Sequence, residues 1–485
     1  MQKVASHAVP FSRYPAGHHD VTWAQQQVLK MMHSNGQGQF ASGAARTWSK
    51  FDEAKGFPSL ADFLRSVSVV VGRHDALRTH YLPGGERGWR QSVVGDGSLL
   101  VDEYSSEDAD LDWACSELAH ILAVEPFAQD DLPLRCAALT VGGHIRCFAM
   151  AIHHASADGA ALAIVCAEIR HFCADESEHL PIPTQPRQIA EWEMSPTQQR
   201  NALRADVYHR ECMRQIPVCT DEEKLPTSGP LYRQWILDST AAAHSARVLA
   251  HRHGVSMATV ILSAYGIVVG QHHGRRVFTA RMPVSNRYGE FRDTVVNLFQ
   301  TTPLSIDLTA DSFGSLCRQV AASSALVYRH GHYDPDRLEA SRRKIEEERG
   351  SRLHMPFRVS IQIGGTGSDR DSTKVAQQES AVKQPEWLYP QEAAALRARS
   401  RYRPAHGKPS WPDSTLKFDV WRIDAEASIT LGTDSESYDE DDLLCLLHAF
   451  EDILIAAATS PGDVAVRALQ GTVRNAVFQR PVNDR

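Results

Sequence analysis

At 485 residues the chain exceeds what one ordinary core accommodates, so two domains or two lobes are expected. Its 42% hydrophobic and 23% charged residues are the composition of a soluble globular protein. A formal net charge of -8 argues against general nucleic-acid affinity, which needs a clustered basic surface to neutralise phosphates.

In chain order, Met1 to Val21 is a polar lead-in without the apolar core of a signal peptide. Val21 to Met32 and Leu60 to Val71 read as helices with an apolar side, and Arg73 to Tyr81 passes from a helix end into a strand. Gly95-Asp96-Gly97-Ser98-Leu99 superficially resembles a carrier-protein phosphopantetheine site, but it sits in a turn and opens no helix. After Gly142-Gly143, the apolar stretch Ile145 to His153 predicts a buried strand, and Gly159 to Phe172 a helix. Pro181, Pro183 and Pro186 mark a linker, which divides the chain into an N-terminal lobe, 1–180, and a C-terminal lobe, 181–485.

The second lobe opens with a polar helix, Gln188 to Gln215, and a strand, Leu231 to Asp238. Val255 to Gly270 is apolar but falls short of the ~20 residues that cross a bilayer, so it predicts a buried core helix. No membrane association is expected. Val277 to Pro283, Gln300 to Leu308 and Phe357 to Ile363 are strand-like. Residues 364–412, rich in Gly, Ser, Gln, Arg and Pro, read as a long mobile insertion, a lid or docking loop. Strands Lys417 to Ile423 and Ala427 to Thr433, then a helix from Asp439 to Ala458, close an α/β or α+β fold of two lobes.

Nine scattered cysteines without a C-x-x-C pair argue against a disulfide framework or a structural zinc, and make a reducing cytoplasm the natural setting. His251, His253, His272, His273, His330 and His332 lack ligand spacing and read as surface histidines. The run Arg397, Arg399, Arg401, Arg403 and Lys408 could dock an acidic carrier protein, but a solvated loop is the commoner explanation.

The sharpest signal is His153-His154-Ala155-Ser156-Ala157-Asp158-Gly159, an H-H-x-x-x-D-G string at a strand-to-helix junction. Adjacent strand residues point to opposite faces, so one imidazole can face the interior and the other an open channel. Asp158 sits where it can cap the following helix or pair with a cation, and Gly159 permits close backbone approach by a ligand. A neutral imidazole near pH 7 can take a proton from an attacking amine or hydroxyl. Two simpler readings compete: core and surface neighbours, or metal ligands, although no third-ligand motif stands out.

The string resembles the signature of the condensation-domain superfamily, which also holds chloramphenicol acetyltransferase-like enzymes. Further matches follow in order: Thr22-Trp23-Ala24-Gln25, Arg73-His74-Asp75-Ala76-Leu77-Arg78-Thr79, Pro283-Val284-Ser285-Asn286-Arg287, Gln300-Thr301-Thr302-Pro303-Leu304 and Lys417-Phe418-Asp419-Val420. The resemblance spans about Val21 to Pro461. It implies a V-shaped pair of acetyltransferase-like lobes with a central tunnel, and a free-standing enzyme joining an acyl thioester to a small-molecule amine or alcohol in specialised-metabolite biosynthesis. His154 would be the general base or positioning group. His153, Asp158 and Gly159 would support it, with Asp158 paired to Arg287, and Arg78 would be structural. The donor would ride on the phosphopantetheine arm of a separate carrier protein, or on coenzyme A, with no bound cofactor or metal. A monomer suffices for such a tunnel.

The sequence departs from the family at Gln27, Val296, Gln300 and Ser305, where arginine, glycine, asparagine and arginine are usual. These departures bear on the acceptor pocket, for which Ser156 and Gln300 are the candidates. Two rivals remain: a polyketide-associated or wax-ester-type acyltransferase, and a noncatalytic recruitment module.

Overall fold

The computed structural model describes residues 1–34, 43–107, 110–174, 180–216, 233–361, 387–405, 414–433 and 438–478. The N-terminal half runs β1 (Gln2–Phe11), β2 (Gly17–Asp20), α1 (Trp23–Ser34), β3 (Ala44–Lys50), α2 (Leu60–Arg73), β4 (Thr79–Pro83), β5 (Trp89–Val93) and β6 (Gly97–Ser105). It continues through α3 (Leu111–Val124), β7 (Leu134–Val141), β8 (His144–His153) and α4 (Gly159–Cys173). A five-stranded sheet of order β1-β6-β7-β8-β3 forms its centre, beside a small sheet β2-β5-β4. Phe148, Met150 and Ile152 of β8 enter one core with α2 and α4. Cys147, Ala149 and Ala151 enter another against α3. Both faces of β8 are therefore dry over residues 147–152, which accounts for the unbroken apolar run there.

After α4 come α5 (Pro186–Glu193), α6 (Pro196–Gln215), β9 (Arg233–Ser239), α7 (Thr240–His253), α8 (Met257–His272), β10 (Val277–Val284) and β11 (Gln300–Asp307). Next are α9 (Phe313–Arg329), α10 (Pro335–Arg349), β12 (Phe357–Ile361), α11 (Pro390–Arg397), β13 (Arg401–Pro404), β14 (Leu416–Ile423), β15 (Ala427–Thr433), α12 (Glu440–Thr459) and α13 (Val466–Phe478). Their sheet has seven strands in the order β11-β10-β12-β14-β15-β9-β13. Phe278, Ala280 and Met282 of β10, Phe357 and Val359 of β12, and Leu416, Phe418 and Val420 of β14 enter a core shared with α7, α8, α9 and α12. Because strand side chains alternate, the residues between them face the other way.

Four expectations are corrected. The polar lead-in is two strands: β1 is an edge strand paired antiparallel to β6, exposed along most of its length, and only Val9 and Phe11 enter the core. The polar helix is two helices, since Pro196 cannot supply an N–H and Ser195 caps the new helix by accepting from Gln198 N. Within 364–412, the described part is ordered structure: α11 starts at Pro390, and β13 pairs antiparallel with β9 and forms the edge of the large sheet. The other residues of that segment fall outside the described ones. Finally, Cys115 of α3 and Cys147 of β8 are joined as a disulfide, pinning a helix to the sheet face it covers; two positions far apart in sequence gave no spacing signal for it. Among the described residues no single helix is long and apolar enough to cross a membrane.

Candidate active site

Strand β8 ends at His153, and the chain turns through residues 154–156 before Asp158 caps α4. The alternation of the strand sends the two imidazoles apart. The His153 ring stacks on Tyr81 at 5.2 Å and meets Phe127 edge-on at 5.7 Å. It lines a cavity of ≈ 170 Å³ with Leu29, His33, His80 and Trp89. Burial, with the nearby His154 and His33 adding to it, lowers its pKa to about 4.

His154 faces the segment that leads into β11. Its ring lies 5.4 Å from that of Phe299, and its carbonyl accepts from Asn297 Nδ2 at 2.9 Å. Its backbone N donates to Gly43 O at 2.7 Å. The imidazole Nδ1 is 2.9 Å from Ala157 O. A carbonyl only accepts, so Nδ1 carries the hydrogen, and in the neutral ring Nε2 holds the lone pair. Burial, before all else, holds His154 below the usual imidazole range; the Ala157 carbonyl and the Asp158 carboxylate oppose this, and the Arg358 charge adds to it. The ring is therefore a neutral base near pH 7, fixed in one tautomer.

Asp158 is 5% exposed and gathers three donors from two halves of the chain. Oδ1 accepts from Ala161 N at 2.9 Å and from Arg287 Nη2 at 2.6 Å, and Oδ2 accepts from Leu298 N at 3.1 Å. Arg287 also donates to Thr294 O at 2.7 Å and to Val296 O at 2.8 Å. One carboxylate thus caps the helix after the histidines and holds the 287–298 loop, which carries Asn297 to the His154 carbonyl. Gly159 is exposed, and a Cβ there would meet nothing within 4 Å.

The two acceptor-pocket candidates lie elsewhere than expected. Ser156 is fully buried, its Oγ 2.8 Å from Tyr81 Oη, which also accepts from Gln25 Nε2. Gln300 is fully buried with its amide closed on Tyr333: Nε2 donates to Tyr333 O and Oε1 accepts from Tyr333 N. Neither presents a polar atom to a substrate, because each is spent on internal packing. Arg78, also fully buried, donates to Asp75 and to the carbonyls of Val71 and Pro15.

Sequence reasoning missed Asn297 and Phe299, which sit just before the quoted Gln300 segment, and Arg358. It also missed a second tie between the halves. The buried Glu193 accepts from Trp23 N and from Arg87 Nη1 at 2.5 Å, and it bonds His332 Nε2 at 3.0 Å. Gln26 Nε2 donates to Asp336 at 2.7 Å. Of the scattered histidines, His273 bonds Tyr438 Oη at 2.6 Å and His330 stacks on Tyr208 at 4.9 Å, so packing occupies them. In the arginine run, Arg397 pairs with Asp452, Arg401 with Glu426 at 3.2 Å and Arg403 with Asp238 at 3.3 Å. Those cations are largely neutralised within the fold; Lys408 lies outside the described residues.

Comparison with known proteins bears on the fold and the family. The condensation-domain family model matches residues 19–389. Malpibaldin synthetase of Mortierella alpina is 25% identical over 297 residues, covering 57% of this chain but only 5% of that synthetase. SgcC5 of Streptomyces globisporus superposes with a TM-score of 0.66 at 15% identity, over 91% of this chain and 100% of that one. The first condensation domain of the calcium-dependent antibiotic synthetase gives 0.65 at 15% identity, over 93% and 98%. These neighbours share the chloramphenicol acetyltransferase-like fold, and the V-shaped two-lobed arrangement fits the chain. The chain belongs to the condensation-domain family.

Proposed function

We propose that this condensation-family chain forms an amide or ester bond between a carrier-held acyl thioester and a small-molecule amine or alcohol, with His154 at the reacting centre. Condensation domains of nonribosomal peptide synthesis work on substrates tethered to carrier-protein phosphopantetheine arms, and bind no cofactor themselves. The observation that carries the reading is the Nδ1–H to Ala157 bond in a ring that burial keeps neutral. It leaves Nε2 as the basic nitrogen. The nucleophile attacks the thioester carbonyl carbon as Nε2 takes its proton; the new C–N or C–O bond forms, the C–S bond breaks, and the sulfur leaves with a proton returned from the imidazolium. Asp158 and Arg287 hold the corner, and Gly159 leaves room for the arm or the acceptor.

Action on a separate carrier protein, as a free-standing monomer in a reducing cytoplasm, completes the proposal. A site assembled from two lobes of one chain supports the monomer, and six free cysteines among the described residues support the reducing setting, against which the Cys115–Cys147 disulfide stands. Mass spectrometry of an acyl-loaded carrier protein incubated with candidate amines and alcohols tests the reading. Product is expected with the wild type and not with His154→Ala; equal product from both would favour a noncatalytic role for this corner.

A further inference from the structure

The face of the large sheet turned away from its helices carries a row of cations. Arg281 of β10 is in register with Arg358 of β12, and Arg358 with Lys417 of β14. In-register neighbours point the same way, and the residues on either side of Arg358, Phe357 and Val359, are in the helix-covered core. Arg358 therefore stands on the opposite face between two like charges. It is half-buried, and among the described residues it has no hydrogen-bond or ion-pair partner. An acidic position on that face, Asp419, is in register with Ser360, one row farther along, and no hydrogen bond or ion pair joins it to Arg358. The arginines at the histidine corner are otherwise engaged: Arg287 by Asp158 and two carbonyls, Arg78 by Asp75 and the main chain.

A half-buried guanidinium flanked by cations, with its five donors uncommitted, is an arrangement made for an anion. The sheet itself carries Arg358 toward His154: β10 pairs on its other side with β11, which begins at Gln300, directly after the Phe299 ring that meets His154. The Arg358 charge also disfavours the imidazolium, so the anion would lie on the approach to the reacting atoms. That placement selects among possible anions. The phosphate of a phosphopantetheine arm is separated from its thioester by the whole pantetheine chain and cannot reach the site of acyl transfer. A carrier-bound amino acid has its carboxyl group masked as the thioester. A free amino or hydroxy acid keeps its carboxylate a few bonds from its nucleophile.

We propose that Arg358 is a specificity residue that binds the carboxylate of a free α-amino or α-hydroxy acid acceptor, orienting its amine or hydroxyl toward His154. This rests on the acyl-transfer reading above and names its acceptor class. The carboxylate remains unchanged through the step: the acceptor nitrogen or oxygen bonds to the thioester carbon, its proton passes through His154 Nε2, and the thiol departs.

Saturation-transfer NMR against the full chain tests the inference, with proteinogenic α-amino acids and lactate each set beside its primary amide. The acids that bind are expected to lose about 30-fold in affinity as amides, the loss of one charge-assisted bidentate contact. Arg358→Gln should abolish that contrast and Arg358→Lys should restore part of it, with circular dichroism showing both variants folded. His154→Ala should keep it, since binding and proton transfer are separate. Absence of binding by every acid, equal binding by acids and amides, or a contrast that survives Arg358→Gln would each overturn the inference. A parallel incubation of hexanoyl-loaded carrier protein with n-hexylamine separates the two claims. Product there without an acid-amide contrast refutes the acceptor assignment alone, whereas a contrast without product from any acceptor refutes acyl transfer alone.

Discussion

Replacing Arg287 by Met removes the one cation on Asp158 and leaves a carboxylate that is 7% exposed with two backbone donors in place of three partners. Methionine fills a similar volume, so packing changes little and the loss is electrostatic. Breaking a buried pair by removing one partner costs about 3–5 kcal/mol, which is a factor of about 100 to 4,000 in an equilibrium constant. The bonds to Thr294 O and Val296 O vanish with it, freeing the loop that brings Asn297 to His154. Urea denaturation followed by circular dichroism and tryptophan fluorescence should register that loss, and turnover of a loaded carrier should fall by at least about 100-fold through misplacement of the histidine corner. Asp158→Asn keeps an oxygen for the Ala161 cap and loses the charge. The double variant Asp158→Asn/Arg287→Met should recover at least about 1 kcal/mol relative to the sum of the singles. A cost below about 1 kcal/mol for Arg287→Met, or single effects that simply add, would show that the pair does not hold the corner.

Further outcomes follow from the same geometry. Because burial depresses His154 below the ordinary imidazole value of about 6.5, kcat/KM should be level above pH 6.5 and fall only on the acid side of it; an acid limb centred above 6.5 would contradict the half-buried, neutral ring. Stability should change in the same direction for a different set of groups. Burial lowers His153 to about 4, His209 to about 4 and His273 to about 3. Between pH 6.5 and about 4 the unfolded chain then binds more protons than the folded one, so stability falls as pH falls through that window; urea midpoints that hold constant from pH 7 to 4.5 would refute it. Gly159→Ala should leave the urea midpoint within about 1 kcal/mol of wild type, since a Cβ there meets open space. A large loss of turnover in that folded variant would place the substrate against the position. Arg401→Ala and Arg403→Ala should each cost less than about 1 kcal/mol, as exposed ion pairs do, and should leave carrier-protein affinity measured by titration calorimetry unchanged. Peptide mapping without reductant should return the Cys115 and Cys147 peptides as one linked species; recovery of two alkylated peptides would count against the bond.

What the sequence determined by itself was local. The strand into His153, the helix from Gly159 and the two late strands follow from apolar periodicity and from glycine and proline punctuation, which depend on neighbours a few residues away. The opposed faces of His153 and His154 follow from strand alternation alone. The lead-in strand β1 escaped notice because an edge strand buries only its last alternate residues, and its pairing with β6 lies some ninety residues on. The burial of Ser156 and Gln300, the disulfide between α3 and β8, and the Glu193 tie depend on which distant segments meet, and spacing along a chain carries no such information. Only the tertiary structure placed Arg358 in a row of cations, on the sheet whose strand β11 follows the Phe299 ring at His154. The chain encodes it as one arginine among many, and a charge acquires its chemical meaning from the partners that the fold brings to it or withholds.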